Sequence, residues 1–387
     1  MSAPRVLIFG TGSLGACYAW VLSRVLPASH ITAVCRSNYE EARRNGFTIN
    51  SELWGNNLNV RPRVSRTVSD AVRQLRLEQQ QQQQQQDTIS DTASSSPSSC
   101  FDYVIVATKA VPTTPTAAEL IAPAVVPGRT AIVLLQNGIG IEATFAARFQ
   151  PANAVLSAVA YLPATRVGPT VVRHTEVERL EVGTYPSTAP AAHREAAERF
   201  VALLGTAGAT ARLRDDIQRS RWAKLLVNAS WNPVCALTRL RDRQFLDATS
   251  SSSPSPPPSS LGGVQDGGED DGRQFIEDVM HEIAAVARAR GYTDVDAELV
   301  TRQASRAAAR DPPGVEPSML ADALQGRTLE VEAIVGNVVR MARQERVPVP
   351  MLRTVYFLAK GLNEGIVSRA KAAAAAGASE GKGGEGS

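Results

Sequence analysis

Six residues near the start of the chain constrain its fold more than any others: Gly10-Thr11-Gly12-Ser13-Leu14-Gly15. They follow a run with the look of a buried strand, Arg5 to Phe9, and lead into a helical pattern from Leu14 to Leu26 that Pro27 stops. A second strand-like run, Ile31 to Cys35, comes next. G-x-G-x-x-G is a weak pattern alone. Set between a strand and a helix, with a further strand behind, it is a dinucleotide-binding fingerprint. Gly10 allows the tight turn, Gly12 lets a pyrophosphate approach the backbone, and Gly15 lets helix and strand pack closely. Thr11, Ser13 and Leu14 then present main-chain N–H groups at a helix N-terminus, where the dipole favours an anion.

The residue type at the end of the second strand discriminates between cofactors. An NAD-binding chain usually places Asp or Glu there for the ribose 2′-hydroxyl. This chain has Cys35-Arg36-Ser37. A carboxylate would repel a 2′-phosphate, whereas the Arg36 guanidinium can bind one in forked geometry. The expected cofactor is therefore NADP(H).

The same alternation continues. Phe47 to Val64 reads as a hairpin excursion around Gly55-Asn56-Asn57, and Val68 to Leu77 as a helix. Phe101 to Ala107, Thr130 to Leu135 and Ala154 to Ala160 read as further strands, with a helix from Ile141. Strands separated by helices at this rhythm predict an α/β fold, a Rossmann-type doubly wound parallel sheet. From about Arg194 the pattern turns helical apart from Thr210 to Leu213, with helices expected over 217–236, 273–290, 297–310, 318–325 and 329–343. The expected organisation is a cofactor-binding domain over 1–193 and an all-α substrate domain over 194–370, with their cleft as the site. Two low-complexity stretches interrupt it. Residues 78–99 hold eight consecutive glutamines and a Ser-rich tail, and 249–272 are rich in Ser, Pro, Gly and Asp. Neither can bury enough apolar surface to fold, so both are expected to be disordered, as is a tail over 371–387.

Composition excludes several function classes. With 41 Lys+Arg against 38 Asp+Glu there is no electrostatic case for nucleic acid. No window approaches the length of a membrane span, and no signal peptide or C-terminal address is visible, so a cytoplasmic protein is expected. The four cysteines lack metal or redox spacing, and the four histidines form no H-x-x-x-H pair. No metal is expected.

Chemistry concentrates in a second segment, Trp222-Ala-Lys224-Leu-Leu-Val-Asn228-Ala-Ser-Trp-Asn232-Pro233. Lys224, Asn228 and Asn232 recur at i, i+4 and i+8 of an otherwise apolar helix, drifting by roughly 40° per step. A buried lysine and two amides without partners cost a few kcal/mol per group, so the stripe should face a ligand or a polar network. Reduction of a carbonyl needs a proton for the developing alkoxide, and no histidine is well placed. A partly desolvated Lys224 can supply it. Pro233 is expected to kink or end the helix. Three further features are weaker. Thr108-Lys109 and Gln136-Asn137-Gly138 follow strand ends, where ligands bind in open α/β sheets. An Asn-Gly pair is also an ordinary turn. Glu330 and Glu332 open a helix, where acids equally serve the dipole. Ser318 opens another helix.

Together these segments resemble the ketopantoate reductase (2-dehydropantoate 2-reductase) family. The order matches: Gly-rich loop, strand-end Arg, Thr-Lys-Ala, Gln-Asn-Gly, Trp-x-Lys-x-x-x-Asn-x-x-x-Asn-Pro, Ser-Met, then a Gly-Arg and Glu helix. The resemblance spans about Arg5 to Arg353 outside the two insertions. It implies that Lys224 is the proton donor, that Asn228 and Asn232 bind substrate, and that Ser318 holds the substrate carboxylate. It also implies Glu330 at the cofactor–substrate junction, cofactor contacts from Lys109 and Asn137 (the latter near substrate too), and Arg36 on the 2′-phosphate. The implied reaction is NADPH-dependent reduction of 2-dehydropantoate to (R)-pantoate, in pantothenate and coenzyme A synthesis. Departures occur at Leu329-Glu330-Val331-Glu332 and in the Pro-rich segment before Ser318. A reductase of another 2-oxo acid stays open, as does a non-catalytic NADP(H) sensor. The expected partner is a small 2-oxo acid, and a homodimer is left open.

Overall fold

Val6 to Phe9 lies fully inside the protein, at the middle of an eight-stranded sheet. The computed structural model describes residues 3–87, 100–250 and 271–380, without the side chains of 82–87 and 376–380. The strand order is Ala211–Leu213, Arg179–Thr184, Val155–Tyr161, Ala131–Leu134, Tyr103–Val106, Val6–Phe9, Ile31–Val34, Arg63–Ser65. All neighbours run parallel except Arg179–Thr184 against Val155–Tyr161. Five of these strands are buried along nearly their whole length, which is why they read as continuous apolar runs. From Val6–Phe9 the chain first winds outward through Ile31–Val34. It then returns to the other side of Val6–Phe9 at Tyr103–Val106. That reversal is a topological switch point, and ligands bind outside the carboxyl ends of strands there.

The expected hairpin forms from Phe47–Ser51 and Gly55–Val60, but it turns through Glu52-Leu53-Trp54, and Gly55-Asn56-Asn57, where the turn was expected, open the second strand. It joins Val171–His174 and Ala164–Arg166 in a separate four-stranded sheet. Neither of those two strands nor Arg179–Thr184 is legible from the sequence, because Arg, Thr and Gly interrupt their apolar pattern.

The chain divides into two compact units, Met1–Asn137 with Ile141–Ser220, and Gly138–Gly140 with Arg221–Ser387. The boundary therefore falls later than the residue 193/194 division read from the sequence. Helix Ala191–Thr206 and strand Ala211–Leu213 belong to the first unit, where Ala197, Phe200 and Leu204 pack into the same core as Leu180 and Val182 of the sheet. The second unit is helical. Its core gathers Trp222, Leu226, Ile276, Met280, Ile283, Val335, Val338 and Leu352.

Three expectations of disorder or termination are corrected. Helix Val68–Asp87 runs through the glutamines, although disorder was expected from residue 78. Thr67 caps it through a 3.0 Å bond from Asp70 N–H, Val68, Ala71 and Leu75 anchor it, and glutamine propagates a started helix well. The final helix, Pro350–Glu380, likewise enters the Ala-rich stretch beyond 370. Of the kink or end expected at Pro233, the end does not occur, since Pro233 sits inside helix Ile217–Thr238. Its flanks Trp231, Val234 and Cys235 are all buried, so tertiary packing outweighs one missing backbone bond. The remainder of both insertions, 88–99 and 251–270, lies outside the described residues, as does the end of the tail.

Candidate active site

In the first unit the Gly-rich loop is built as its residue types require. Gly10 has φ +98°, and a Cβ there would lie 2.6 Å from both the Thr108 amide nitrogen and its Cγ2. A Cβ on Gly15 would overlap the Gly10 carbonyl oxygen. Gly12 differs, because a Cβ there would meet nothing within 4 Å. It is the cap of helix Ser13–Ser23, and among the described residues no side chain caps the first-turn N–H groups. Open space beside uncapped amides at a helix N-terminus fits a pyrophosphate. Ser13 and Leu14 stand half-buried in that first turn.

Thr11 is turned inward. Its hydroxyl lies 3.1 Å from Cys35 Sγ and accepts from Asn38 Nδ2 at 3.3 Å. Any contact it makes with a dinucleotide is thus through the main chain. Asn38, buried and also donating to Thr11 O at 3.2 Å, is a residue that sequence reading missed. It locks the loop to the second strand's end, and an asparagine in a turn gives no sequence signal for that. Burial raises the Cys35 thiol to about 11, so it stays protonated. Arg36 is exposed, and among the described residues no carboxylate forms an ion pair with it. At the neighbouring strand ends, Gln136 Nε2 donates to Thr108 O at 3.0 Å. The Thr108-Lys109 and Gln136-Asn137 motifs, read separately in the sequence, are thereby one structure, with Lys109 and Asn137 half-buried beside the bond.

From Arg221 onward the lysine helix, Ile217–Thr238, belongs to the second unit. Lys224 and Asn228 are half-buried and Asn232 is buried. Among the described residues neither asparagine side chain has a hydrogen-bond partner. Burial, and after it the nearby Arg221 charge, lower Lys224 to about 8 against the opposing pull of Glu330. Glu330 is itself buried. It stands just before the helix and not within its first turn, because the chain enters a π-helical turn at Glu332–Gly336 before Asn337–Gln344. Such turns are rare and concentrate at functional sites. The two acids of the segment are thereby separated in role. Glu332 accepts from Tyr356 Oη at 2.9 Å, Arg340 Nη1 at 2.6 Å and Lys360 Nζ at 3.2 Å. Burial acts to raise its carboxyl, but these bonds outweigh burial and hold it below the usual range. Glu332 is a structural anchor.

Ser318 opens helix Ser318–Leu324 and is exposed, and its hydroxyl has no partner among the described residues. The Pro-rich segment before it is tied down by Asp242, which is buried. Asp242 accepts from Val315 N–H at 2.7 Å and Arg243 N–H at 2.8 Å and pairs with Arg310. Among the described residues there is no cluster of metal-ligand type, and no helix is long and apolar enough to cross a membrane.

The doubly wound sheet with its glycine loop, and the all-helical unit carrying a lysine of lowered pKa, define an oxidoreductase of the Rossmann-type class. Residues 6–187 match the family described as Ketopantoate reductase PanE/ApbA. Residues 216–253 and 262–363 match its C-terminal counterpart. A 2-dehydropantoate 2-reductase of Mesorhizobium japonicum is 30% identical over 288 residues, 67% of this chain and 76% of that one. An uncharacterized protein of Saccharomyces cerevisiae is 26% identical over 92% of both chains. The crystal structure of 2-dehydropantoate 2-reductase from Methylococcus capsulatus superposes with TM-score 0.70 at 28% identity, covering 94% of this chain and 97% of that one. A D-mandelate dehydrogenase solved with NADH and anilino(oxo)acetate shares the fold, with TM-score 0.68 at 16% identity over 94% and 99% of the two chains. The chain belongs to the ketopantoate reductase family.

Proposed function

We propose that this protein reduces 2-dehydropantoate to (R)-pantoate with NADPH, the step that feeds pantothenate and coenzyme A synthesis, in the cytoplasm. The observation that carries the reading is Lys224, lowered to about 8 on the same helix as two asparagines that have no side-chain partner among the described residues. A lysine near neutrality can give up a proton at working pH and regain it from water. When bound, the nicotinamide supplies a hydride to the keto carbon. Lys224 Nζ gives its proton to the keto oxygen, which completes the alcohol and leaves a neutral amine. Asn228 and Asn232 supply donors for substrate oxygens, and Ser318 takes the carboxylate. Glu330, of opposite charge, steadies the protonated lysine. Main-chain N–H groups of Gly12, Ser13 and Leu14 hold the pyrophosphate, with Gly10 and Gly15 shaping the loop. Lys109 and Asn137 contact the cofactor, and Arg36 takes the 2′-phosphate. One relative in the family is described as dimeric, and a homodimer is the assembly we propose here.

A second reading, reduction of another 2-oxo acid, draws support from the departures around Glu330 and from the fold shared with D-mandelate dehydrogenase. The deciding experiment follows NAD(P)H absorbance with a panel of 2-oxo acids, NADPH and NADH in parallel, for the wild type and Lys224→Ala. The proposal requires the highest kcat/KM with ketopantoate and NADPH, abolished in the variant. Faster turnover of a different 2-oxo acid replaces it with the second reading. Tight NADPH binding with no turnover on any acid replaces it with a sensor.

A further inference from the structure

Arg221 stands one helical turn before Lys224, so the two side chains emerge on one face of helix Ile217–Thr238. It is only 4% exposed. Its Nη1 donates to the carbonyl oxygen of Gly138 at 2.9 Å. Gly138 is the residue that follows Asn137, and its turn is held from the other side as well. Ile139 N–H donates to Ala333 O at 3.1 Å, and Asn337 Nδ2 donates to Ile139 O at 2.5 Å. Gly138 has φ +99°, and a Cβ there would overlap the Ala333 carbonyl. The π turn and the lysine helix thus clamp the three residues Gly138–Gly140 between them.

The clamp alone does not require an arginine. A neutral amide could donate to the Gly138 oxygen without burying a permanent cation, which is costly even when hydrogen-bonded. Placing that cation beside a lysine that must itself carry charge adds repulsion.

We propose that Arg221 is a positioning residue for the proton donor: its guanidinium fixes the peptide after Asn137 and sets a permanent positive charge beside Lys224. The hydrogen bond holds the Asn137-Gly138 turn. The charge makes the Lys224 ammonium a readier donor. The charged groups that act on Lys224 are Arg221, from its own helix, and Glu330, from the segment before the π turn, and they oppose each other. This inference rests on Lys224 being the proton donor.

The test separates charge from hydrogen bond in the full-length enzyme. Arg221→Lys keeps the charge and shortens the reach; Arg221→Gln keeps a donor and removes the charge. Two measurements apply to each: the pH profile of kcat/KM, and the pH dependence of the rate at which Lys224 is acylated, read by mass spectrometry without cofactor or substrate. Arg221→Gln should raise the Lys224 midpoint by ~1 pH unit in both measurements, as loss of a nearby like charge does. Arg221→Lys should leave the midpoint in place and lower kcat. An unmoved midpoint in Arg221→Gln, or an equal shift in both variants, overturns the proposal. If Arg221→Gln does not fold, Arg221→Lys still decides, because a shifted midpoint with charge retained overturns it. Undiminished turnover in Lys224→Ala would remove the proton-donor reading instead, and the acylation midpoint would still report whether Arg221 acts on Lys224.

Discussion

The carbonyl oxygen of Gly10 occupies the space that a Cβ on Gly15 would need, whereas the space beside Gly12 is open. The two glycines of one motif are therefore constrained differently: packing requires Gly15, while on the proposed function Gly12 faces the pyrophosphate. Gly15→Ala should lose about 1–3 kcal/mol, the usual range for overpacking a tight contact. Gly12→Ala should keep its melting temperature but bind NADPH at least ~10-fold more weakly, because its methyl group enters the pyrophosphate's space. Thermal melts beside NADPH titrations distinguish the two. An equal loss of stability in both variants would contradict the division of roles.

Arg36 is exposed and pairs with no carboxylate among the described residues, so its charge is available to a 2′-phosphate. Arg36→Ala should lower kcat/KM for NADPH by roughly tenfold or more, the loss of a charge-assisted forked contact, and leave NADH nearly unchanged. Wild-type enzyme with equal rates for the two cofactors would remove this role for Arg36.

The lowered value of Lys224 fixes a sign for pH dependence. The donor is the ammonium form, so kcat/KM for carbonyl reduction should fall as pH rises above about 8. Lys224→Ala should lower kcat by ~10²–10⁴ and abolish that limb. Stability responds in the opposite direction. The folded value lies below the ordinary 10.5, so the unfolded chain binds the proton more tightly. The folded state should therefore gain stability as pH climbs from about 8 towards 10.5, and Lys224→Met should remove that gain. Urea titrations at a series of pH values measure it.

Asp242 is 2% exposed and holds both the Pro-rich segment and Arg310. Asp242→Ala removes one partner of a mostly buried ion pair and should cost about 3 kcal/mol in urea unfolding. Because the held segment leads into Ser318, KM for the oxo acid should rise while the Kd for NADPH stays constant. A change in both constants would show that the damage is general.

Periodicity and residue type were enough to read much of this protein. The strand, glycine loop and helix at Val6 to Ser23 were legible because local sterics and a buried parallel strand leave few alternatives for those residues. The lysine helix was legible because three polar groups at helical spacing interrupt an apolar run. Other features depended on partners distant in sequence. Gln136 and Thr108 meet only because parallel strands place their ends side by side. Spacing and residue type do not single out Arg221, and only the fold sets Gly138 against it. By spacing and residue type Glu330 and Glu332 look equivalent and only the resemblance favours Glu330; the structure adds that Arg340, Tyr356 and Lys360 surround Glu332 beside a π turn. The glutamine helix, and the choice at Pro233 between a kinked and an ended helix, were not legible for the same reason: composition prices each residue alone, while the packing of neighbouring side chains decides whether a helix continues. The sequence by itself determined the class of fold and the residue types available for chemistry. Tertiary structure decided which carboxylate is committed elsewhere, which amide locks the loop, and which charge lies beside the lysine. Those outcomes depend on distances between residues far apart in the chain, which local propensity does not encode.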